Sequence, residues 1–224
     1  MRFRDRMHAA RLLAARLSSE YSPPFVVSGI PMGGLEIARL IAHEQQVPLT
    51  VAHVRRLHVP AAPLASFGAL DERGSAVLDP AAVRALRLTL ADLEQARTRA
   101  WRELHRVAAS LRTVMSLRDM APRRHVVLTD EGMATGFSML AAIRTAKRMG
   151  AARVSVAVPC ASEAALERIA READDFVCLG GSEPFVSIAA CYDWLAEETP
   201  HAPDATVPHE TVRDGSSPAS LTPH

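Results

Sequence analysis

Apolar residues along the chain recur in two spacings, one typical of buried strands and one of amphipathic helices. Short apolar runs predict strands at 25–27, 49–54, 126–129, 154–159 and 176–179. Apolar positions at helical spacing predict helices over 7–18, after Gly34, over 80–112, after Gly136 and over 162–171. Because strands and helices alternate, the pattern predicts an α/β fold with a mainly parallel central sheet and helices on both faces.

Two stretches depart from this alternation. Residues 57–79 are rich in Pro and Gly and are expected to form a long loop with a short hairpin around 67–70 and 76–78. Residues 80–112 carry the longest helical pattern and predict one long helical insertion. From about Glu197 the chain is polar and Pro-rich, so we expect one domain over 1–196 and a disordered C-terminal tail over 197–224.

Composition and charge narrow the class of protein. The chain has 224 residues, 48% of them hydrophobic, and a formal net charge of +1, which gives no global attraction to nucleic acid or membrane. Cys160, Cys178 and Cys191 lie far apart and form neither a zinc motif nor a disulfide framework. With no apolar run of membrane-spanning length, these features predict a cytoplasmic protein without a membrane partner.

Arginines are interleaved along the predicted helix 80–112. Such a pattern is compatible with a nucleic-acid surface, with a solvated basic face or with a dimer helix. The last two interpretations are favoured, so a homodimer is kept as an expectation and a nucleic-acid partner is not expected.

The candidate chemistry begins where the strand 126–129 meets a loop and then a helix. The first amides of a helix are unpaired and lie at the positive end of its dipole, which suits a phosphate if small residues let the backbone approach. Ala134, Thr135, Gly136 and Ser138 meet that requirement. Asp130 and Glu131 precede this loop, and their carboxylates suit a neutral polyol, such as the two hydroxyls of a ribose.

These residues resemble the phosphoribosyl-pyrophosphate motif of type I phosphoribosyltransferases: four mostly apolar residues, two acids, Gly or an apolar residue, a variable pair, then Thr and Gly. Thr129 takes the last apolar slot. The start of the chain is also similar to an Arg-Phe-x-Asp-Arg stretch in one group of that family. The resemblance implies that Asp130 and Glu131 are catalytic and hold the ribose. It implies that residues 134–138, with Phe137 among them, bind the 5′-phosphate.

The resemblance implies three further features. The loop of Pro31, Met32, Gly33 and Gly34 would bind pyrophosphate through the backbone amides that follow Pro31, and Arg55 and Arg56 would lie near the phosphates. The segment after the last strand would help form a small hood, where Phe185 is a candidate to stack on a planar base; an ordinary core aromatic is the alternative. Mg²⁺ would be the cofactor, bridged by the substrate's oxygens without a direct protein ligand.

The implied reaction displaces pyrophosphate from phosphoribosyl pyrophosphate with an unidentified nitrogen nucleophile, a nucleobase or a related compound. Ala134 stands where relatives that use 6-oxopurines carry Asp, which argues against that substrate class. Met32 and Leu64 stand where the related group has Arg and an acid. Two alternatives therefore stay open: a regulatory protein that binds phosphoribosyl pyrophosphate without turnover, and a scaffold with no ligand.

Overall fold

The structure, a computed structural model, describes residues 1–180 and 185–195, and of residues 63 and 64 only the backbone. The predicted disordered tail 197–224 lies outside the described residues. The strands are β1 (Val26–Gly29), β2 (Leu49–Val51), β3 (Val54–Val59), β4 (Ala62–Asp71), β5 (Ala76–Leu78), β6 (Met115–Ser116), β7 (His125–Thr129), β8 (Arg153–Val158) and β9 (Asp175–Cys178). The helices are α1 (Arg6–Glu20), α2 (Gly33–Gln45), α3 (Pro80–Ala85), α4 (Leu90–Ser110), α5 (Leu117–Met120), α6 (Phe137–Arg148) and α7 (Glu163–Ala170), with a 3-10 turn at Ala189–Cys191.

Six strands form a parallel central sheet in the order β6–β2–β1–β7–β8–β9. On one face, α1 and α2 pack Leu13 and Ile37 against Val127. On the other face, Ile143 of α6 and Ile169 of α7 belong to a second hydrophobic cluster. This cluster also contains the side chains of the central strands that point to that face. Residues buried on both faces explain the nearly continuous apolar runs of the central strands. The predicted parallel sheet with helices on both faces is confirmed.

The prediction of a long loop over 57–79 is wrong. These residues, with Val54 to Arg56, build a second sheet of three antiparallel strands in the order β3–β4–β5. The predicted short hairpin is present within it, pairing Gly68 with Leu78 and Leu70 with Ala76. The sheet buries Leu57, Phe67 and Leu70 against α4. Pro and Gly mark its turns and register shifts rather than an unstructured segment.

The predicted strand 49–54 is two strands. The parallel strand ends at Val51, the Ala52 amide donates to the Gly29 carbonyl at 3.0 Å, and the chain then enters the antiparallel sheet at Val54. Val51 and Val54 are both buried, so the apolar pattern runs through the turn and conceals it. Arg55 and Arg56 consequently lie inside β3, not at the end of a parallel strand.

The predicted long helix 80–112 is two helices, α3 and α4. Arg87 has a left-handed backbone (φ 49°), and the Leu88 amide bonds back to the Val83 carbonyl at 3.1 Å, which ends α3. Thr89 and Asp92 then form a capping box that starts α4. The capping pair was a sequence signal for the break, but the arginine stripe runs across it. In the described part of the chain, no helix combines the length and apolar character needed to cross a membrane.

Candidate active site

The carboxyl edge of the central sheet brings two strand–loop–helix units side by side. β1 and β7 are parallel neighbours, with Gly29 opposite Thr129. The Ile30 amide donates to the Thr129 carbonyl at 3.0 Å, which ties the two loops together at their start. The loop over 30–34 and the acids that follow β7 therefore face one another, as expected for parallel strands that share an edge.

The loop between β7 and α6 has its carbonyls turned outward. The Met133 and Ala134 carbonyls accept from the Ser162 amide (2.9 Å) and hydroxyl (2.6 Å), and the Thr135 carbonyl accepts from Arg168. In a trans peptide the next amide points opposite to the carbonyl. The amides of residues 134–136 therefore point to the inner side of the loop, where an anion can accept from them.

A cavity of about 320 Å³ lies on that inner side. Ala134, Thr135, Gly136 and Ser138, which the sequence predicts to bind the 5′-phosphate, line it. Gly136 caps α6 with φ 75°, a left-handed conformation that favours glycine. Phe137 differs from its prediction in one respect. Its ring is buried in the core with the Arg168 guanidinium 4.2 Å from the ring centroid, so only its backbone can serve a ligand.

The glycines of the 30–34 loop are required by close packing. A Cβ on Gly34 would lie 2.8 Å from the Asp130 Cα and 2.9 Å from the Thr129 carbonyl oxygen. Met32 has φ 84° and ψ −127°, a backbone conformation that costs a residue with a side chain about 1–3 kcal/mol. The loop is thus held close to the acids after β7 and is strained at Met32.

A second cavity, about 180 Å³, lies between this loop and β3. Its lining includes Pro31, Met32, Gly33, Arg55, Arg56 and His58. Arg56, Asp130 and Ser138 line both cavities, which therefore adjoin. One basic side chain and one carboxylate sit where the two spaces meet.

The basic pair does not act as one unit. Arg55 donates from Nε to Glu103 of α4 at 3.2 Å, and its Nη1 lies 3.4 Å from the Met32 sulfur. Arg56 is exposed and lines both cavities. Adjacent strand residues project to opposite faces, so the two side chains reach the second cavity, which both line, from different directions.

The two acids also differ, and Glu131 is the more buried of the two. Its side chain is 12% exposed and pairs with Arg6, with 2.7 Å between Glu131 Oε2 and Arg6 Nη2. The Glu131 carbonyl accepts from the Tyr192 hydroxyl at 2.6 Å. Burial raises the pKa of Tyr192, and Cys160 and Glu131 raise it further, so this hydroxyl stays protonated and donates. Asp130 is half-buried and accepts from the Glu131 amide at 2.8 Å.

Phe185 lines neither cavity. It packs against the apolar cluster of Phe3, Cys160, Cys191 and Tyr192, as a core aromatic does. Ile188, from the same segment, lines the cavity of about 320 Å³ instead. Sequence reasoning also missed Arg6, whose only signal was the Arg-Phe-x-Asp-Arg stretch itself.

A larger groove, about 1050 Å³, runs along the outer edge of β9. Three of its polar side chains pair with one another, because Tyr21 and Arg153 both bond Asp175. The groove also ends at Gly180, beside residues outside the described part of the chain. The smaller adjoining cavities, with a shared cation and carboxylate, are the better candidate for chemistry.

The fit of a divalent cation can be judged from the donor set. Among the described residues no group of three or more His, Cys, Asp or Glu is arranged to hold a metal ion. Asp130 is the carboxylate that lines both cavities. A bound Mg²⁺ fits this site only if substrate and water supply most of its oxygens, which is ordinary for magnesium at phosphates.

The fold and site define an α/β protein with two adjoining cavities at the carboxyl edge of its sheet. Residues 4–187 match the family model described as "Phosphoribosyl transferase domain", and the chain belongs to that family. Two Mycobacterium tuberculosis proteins, from strains CDC 1551 / Oshkosh and H37Rv, are each named "Putative phosphoribosyl transferase". Each is 37% identical over 192 residues, or 85% of this chain and 43% of the relative's length. The chain thus spans less than half of either relative.

A solved structure, the crystal structure of the protein TT1426 from Thermus thermophilus, is also similar. It is 38% identical and superposes with a TM-score of 0.67, covering 86% of this chain and 90% of that one. The family resemblance drawn from the motif around Asp130 is therefore confirmed.

Proposed function

We propose that the chain transfers a phosphoribosyl group, displacing pyrophosphate from phosphoribosyl pyrophosphate with a nitrogen nucleophile such as a nucleobase. The observation that carries the proposal is the pair of adjoining cavities. One lies under the inward amides of residues 134–136, the other beside the 30–34 loop, and Arg56 and Asp130 line both. A sugar that carries phosphate groups at its two ends matches that arrangement.

In this proposal the 5′-phosphate binds the amides at 134–136 and the start of α6, where the helix dipole favours an anion. The Thr135 and Ser138 hydroxyls lie on the same cavity wall. Pyrophosphate occupies the second cavity, beside Arg56 and the amides of Met32 and Gly33. The ribose then lies over Asp130, where the cavities meet.

The reaction breaks the bond from C1′ to the pyrophosphate oxygen, whose electron pair leaves with pyrophosphate. A bond from C1′ to the nucleophile nitrogen forms, and the nitrogen's proton passes to solvent. Positive charge develops on the ribose as the bonds exchange, and the Asp130 carboxylate stabilises it. Holding both ends of the substrate supplies the remaining acceleration through orientation. Mg²⁺, when bound to the substrate's oxygens, neutralises charge on the leaving pyrophosphate.

One observation favours the alternative, a regulatory protein that binds the same ligand without turnover. Met32 brings no charge to the pyrophosphate loop, and Arg55 is engaged by Glu103 and the Met32 sulfur. Within the described residues this leaves Arg56 and His58 as the other basic groups lining that cavity. A weak hold on the leaving group would permit binding but slow displacement.

The test is calorimetry with phosphoribosyl pyrophosphate and Mg²⁺, followed by a pyrophosphate-release assay with a panel of nucleobases. We expect binding, and pyrophosphate release with at least one base. Binding without release from any base would favour the regulatory alternative. Absence of binding at millimolar ligand would reject both.

Arg56→Gln sharpens the test because Arg56 lines both cavities. We expect it to weaken ribose 5-phosphate and pyrophosphate separately, each by about tenfold, the loss of a charge-assisted hydrogen bond. Arg39→Gln is the matched control, since Arg39 is an exposed arginine on α2. Equal affinities for Arg56→Gln and wild type would show that Arg56 does not bind either ligand.

A further inference from the structure

We propose that Arg6 and Glu131 form a positioning pair that holds the 30–34 loop, and that Glu131 acts through this loop instead of binding ribose. The identity of the ligand rests on the proposed function. The pair itself is a feature of the ligand-free chain, so its role can be tested separately.

The pair is buried and close. Arg6 Nε and Nη2 each lie 2.7 Å from Glu131 Oε2, and the two side chains are 9% and 12% exposed. The third nitrogen, Nη1, lies 3.5 Å from Glu36, whose side chain is 60% exposed. Removing one partner of a buried pair leaves an uncompensated charge, so the guanidinium and carboxylate hold each other in place.

The pair forms a wall against the 30–34 loop. A Cβ on Gly33 would lie 2.0 Å from Glu131 Oε2 and 2.8 Å from Arg6 Nε. Gly33 follows Met32, the residue with the strained backbone. Strained conformations persist only where the surroundings over-determine them. The Arg6–Glu131 pair is such a surrounding, because the loop lies directly on it.

Two segments far apart in the chain, residues 2–3 and residues 191–193, bond to each other beside the same Arg6–Glu131 pair. The Phe3 amide donates to the Cys191 carbonyl at 2.8 Å, the Asp193 amide donates to Phe3 at 2.7 Å, and Arg2 pairs with Asp193 at 2.7 Å. These bonds place Tyr192 so that its hydroxyl donates to the Glu131 carbonyl.

Asp5 completes the arrangement. It caps α1 by accepting from the His8 amide at 2.7 Å, which makes Arg6 the first residue of the helix. The Arg-Phe-x-Asp-Arg stretch is thereby explained. Arg2 and Phe3 fasten the 191–193 segment, Asp5 sets the helix start, and Arg6 reaches the acid 125 residues away.

The two roles of Glu131 predict different behaviour in a double variant. If Glu131 bound ribose, removing Arg6 as well could not restore what Glu131→Gln loses. If the pair positions the loop, Arg6→Gln with Glu131→Gln removes both buried charges and leaves two amides that can bond each other. The double variant should then recover what each single variant loses.

The experiment measures four variants: Arg6→Gln, Glu131→Gln, the double variant, and Arg4→Gln, an exposed arginine of the same segment, as control. The first readout is amide hydrogen exchange over residues 30–35 without ligand. The second is calorimetric affinity for Mg²⁺ with pyrophosphate and with phosphoribosyl pyrophosphate, measured well below each melting temperature.

We expect each single variant to exchange faster over 30–35 and to lose about tenfold in both affinities, with the double variant recovering most of the loss. Arg4→Gln should match wild type. Unchanged exchange in Glu131→Gln, with a double variant that binds no better, would overturn the proposal and make Glu131 a ribose ligand.

The experiment distinguishes failure of the positioning role from failure of the proposed function. If wild type does not bind phosphoribosyl pyrophosphate, the proposed function fails, and the exchange pattern over 30–35 alone supports or overturns the positioning role. If Arg6→Gln does not fold, Glu131→Gln against the double variant gives the same decision.

Discussion

The two edges of the central sheet carry similar polar residues put to different uses. At the amino edge, where β7, β8 and β9 begin, His125 Nε2 lies 2.7 Å from the Ser155 hydroxyl, and Asp175 is bonded by Tyr21 and Arg153. At the carboxyl edge, Asp130, Arg56 and Ser138 line cavities instead. A polar network that satisfies itself stabilises the fold, whereas groups turned to a cavity can meet a ligand.

The comparison predicts that changes at the carboxyl edge affect ligand binding, except where loops are packed on one another. Gly34→Ala is that exception and should have the largest effect on stability. Its Cβ would meet the backbone of Asp130 at 2.8 Å, so the loop or β7 must shift, which costs about 3 kcal/mol of unfolding free energy. Denaturant unfolding of Gly34→Ala and wild type measures this loss of unfolding free energy.

Gly150→Ala is the control for Gly34→Ala. Gly150 has φ 83° but open space around its Cβ position, so the substitution should cost only backbone strain, about 1 kcal/mol. Equal losses at the two sites would contradict the close packing of the loop on the acids.

Asp130→Asn tests the ligand-facing side of the comparison. The change keeps the shape of the side chain and its acceptor oxygen, so unfolding free energy should change by less than about 0.5 kcal/mol. Affinity for phosphoribosyl pyrophosphate should fall about tenfold, or about 1.4 kcal/mol, through weaker bonds to ribose hydroxyls. Calorimetry and thermal melts on the same protein give both numbers. A stability loss with unchanged affinity would assign Asp130 to the fold.

The carboxyl edge was predictable from sequence because its signals are local. Residues 126–139 give strand, small-residue loop and helix within one stretch, and parallel pairing then places the 30–34 loop beside it. The antiparallel sheet was not predictable, since Pro and Gly in 57–79 suit loops as well as strand turns. The Arg6–Glu131 pair joins residues far apart in the chain, and no local pattern reports such a contact.

Tyr21→Phe tests the amino edge. The Tyr21 hydroxyl donates to Asp175, and burial together with this bond raises the Tyr21 pKa to about 12, so the donor is present at any ordinary pH. Losing it should cost about 1 kcal/mol of stability, since Asp175 keeps Arg153. Affinity for phosphoribosyl pyrophosphate should not change. A fall in affinity would show that the two edges are coupled.

The smallest expected effect is a dependence of stability on pH from His125. Burial lowers its pKa and Arg153 lowers it further, while Asp174 and Asp175 act in the opposite direction. The unfolded chain therefore takes up a proton at higher pH than the folded chain does. The stabilisation is fully present above the unfolded value, near 6.5, and is lost as pH falls through the folded pKa.

His125→Gln should flatten the fall in unfolding free energy between about pH 7 and pH 5, the range set by an ordinary histidine pKa. His43→Gln, at an exposed position on α2, is the control. Burial also lowers the pKa of His53, so part of the slope should remain in His125→Gln and should decrease further when His53→Asn is added. Because His53 follows β2 at the carboxyl edge, the two variants measure how much of the acid sensitivity each edge contributes. If His125→Gln leaves the slope unchanged, His125 does not contribute to the acid sensitivity, and other groups, such as His53, must account for it.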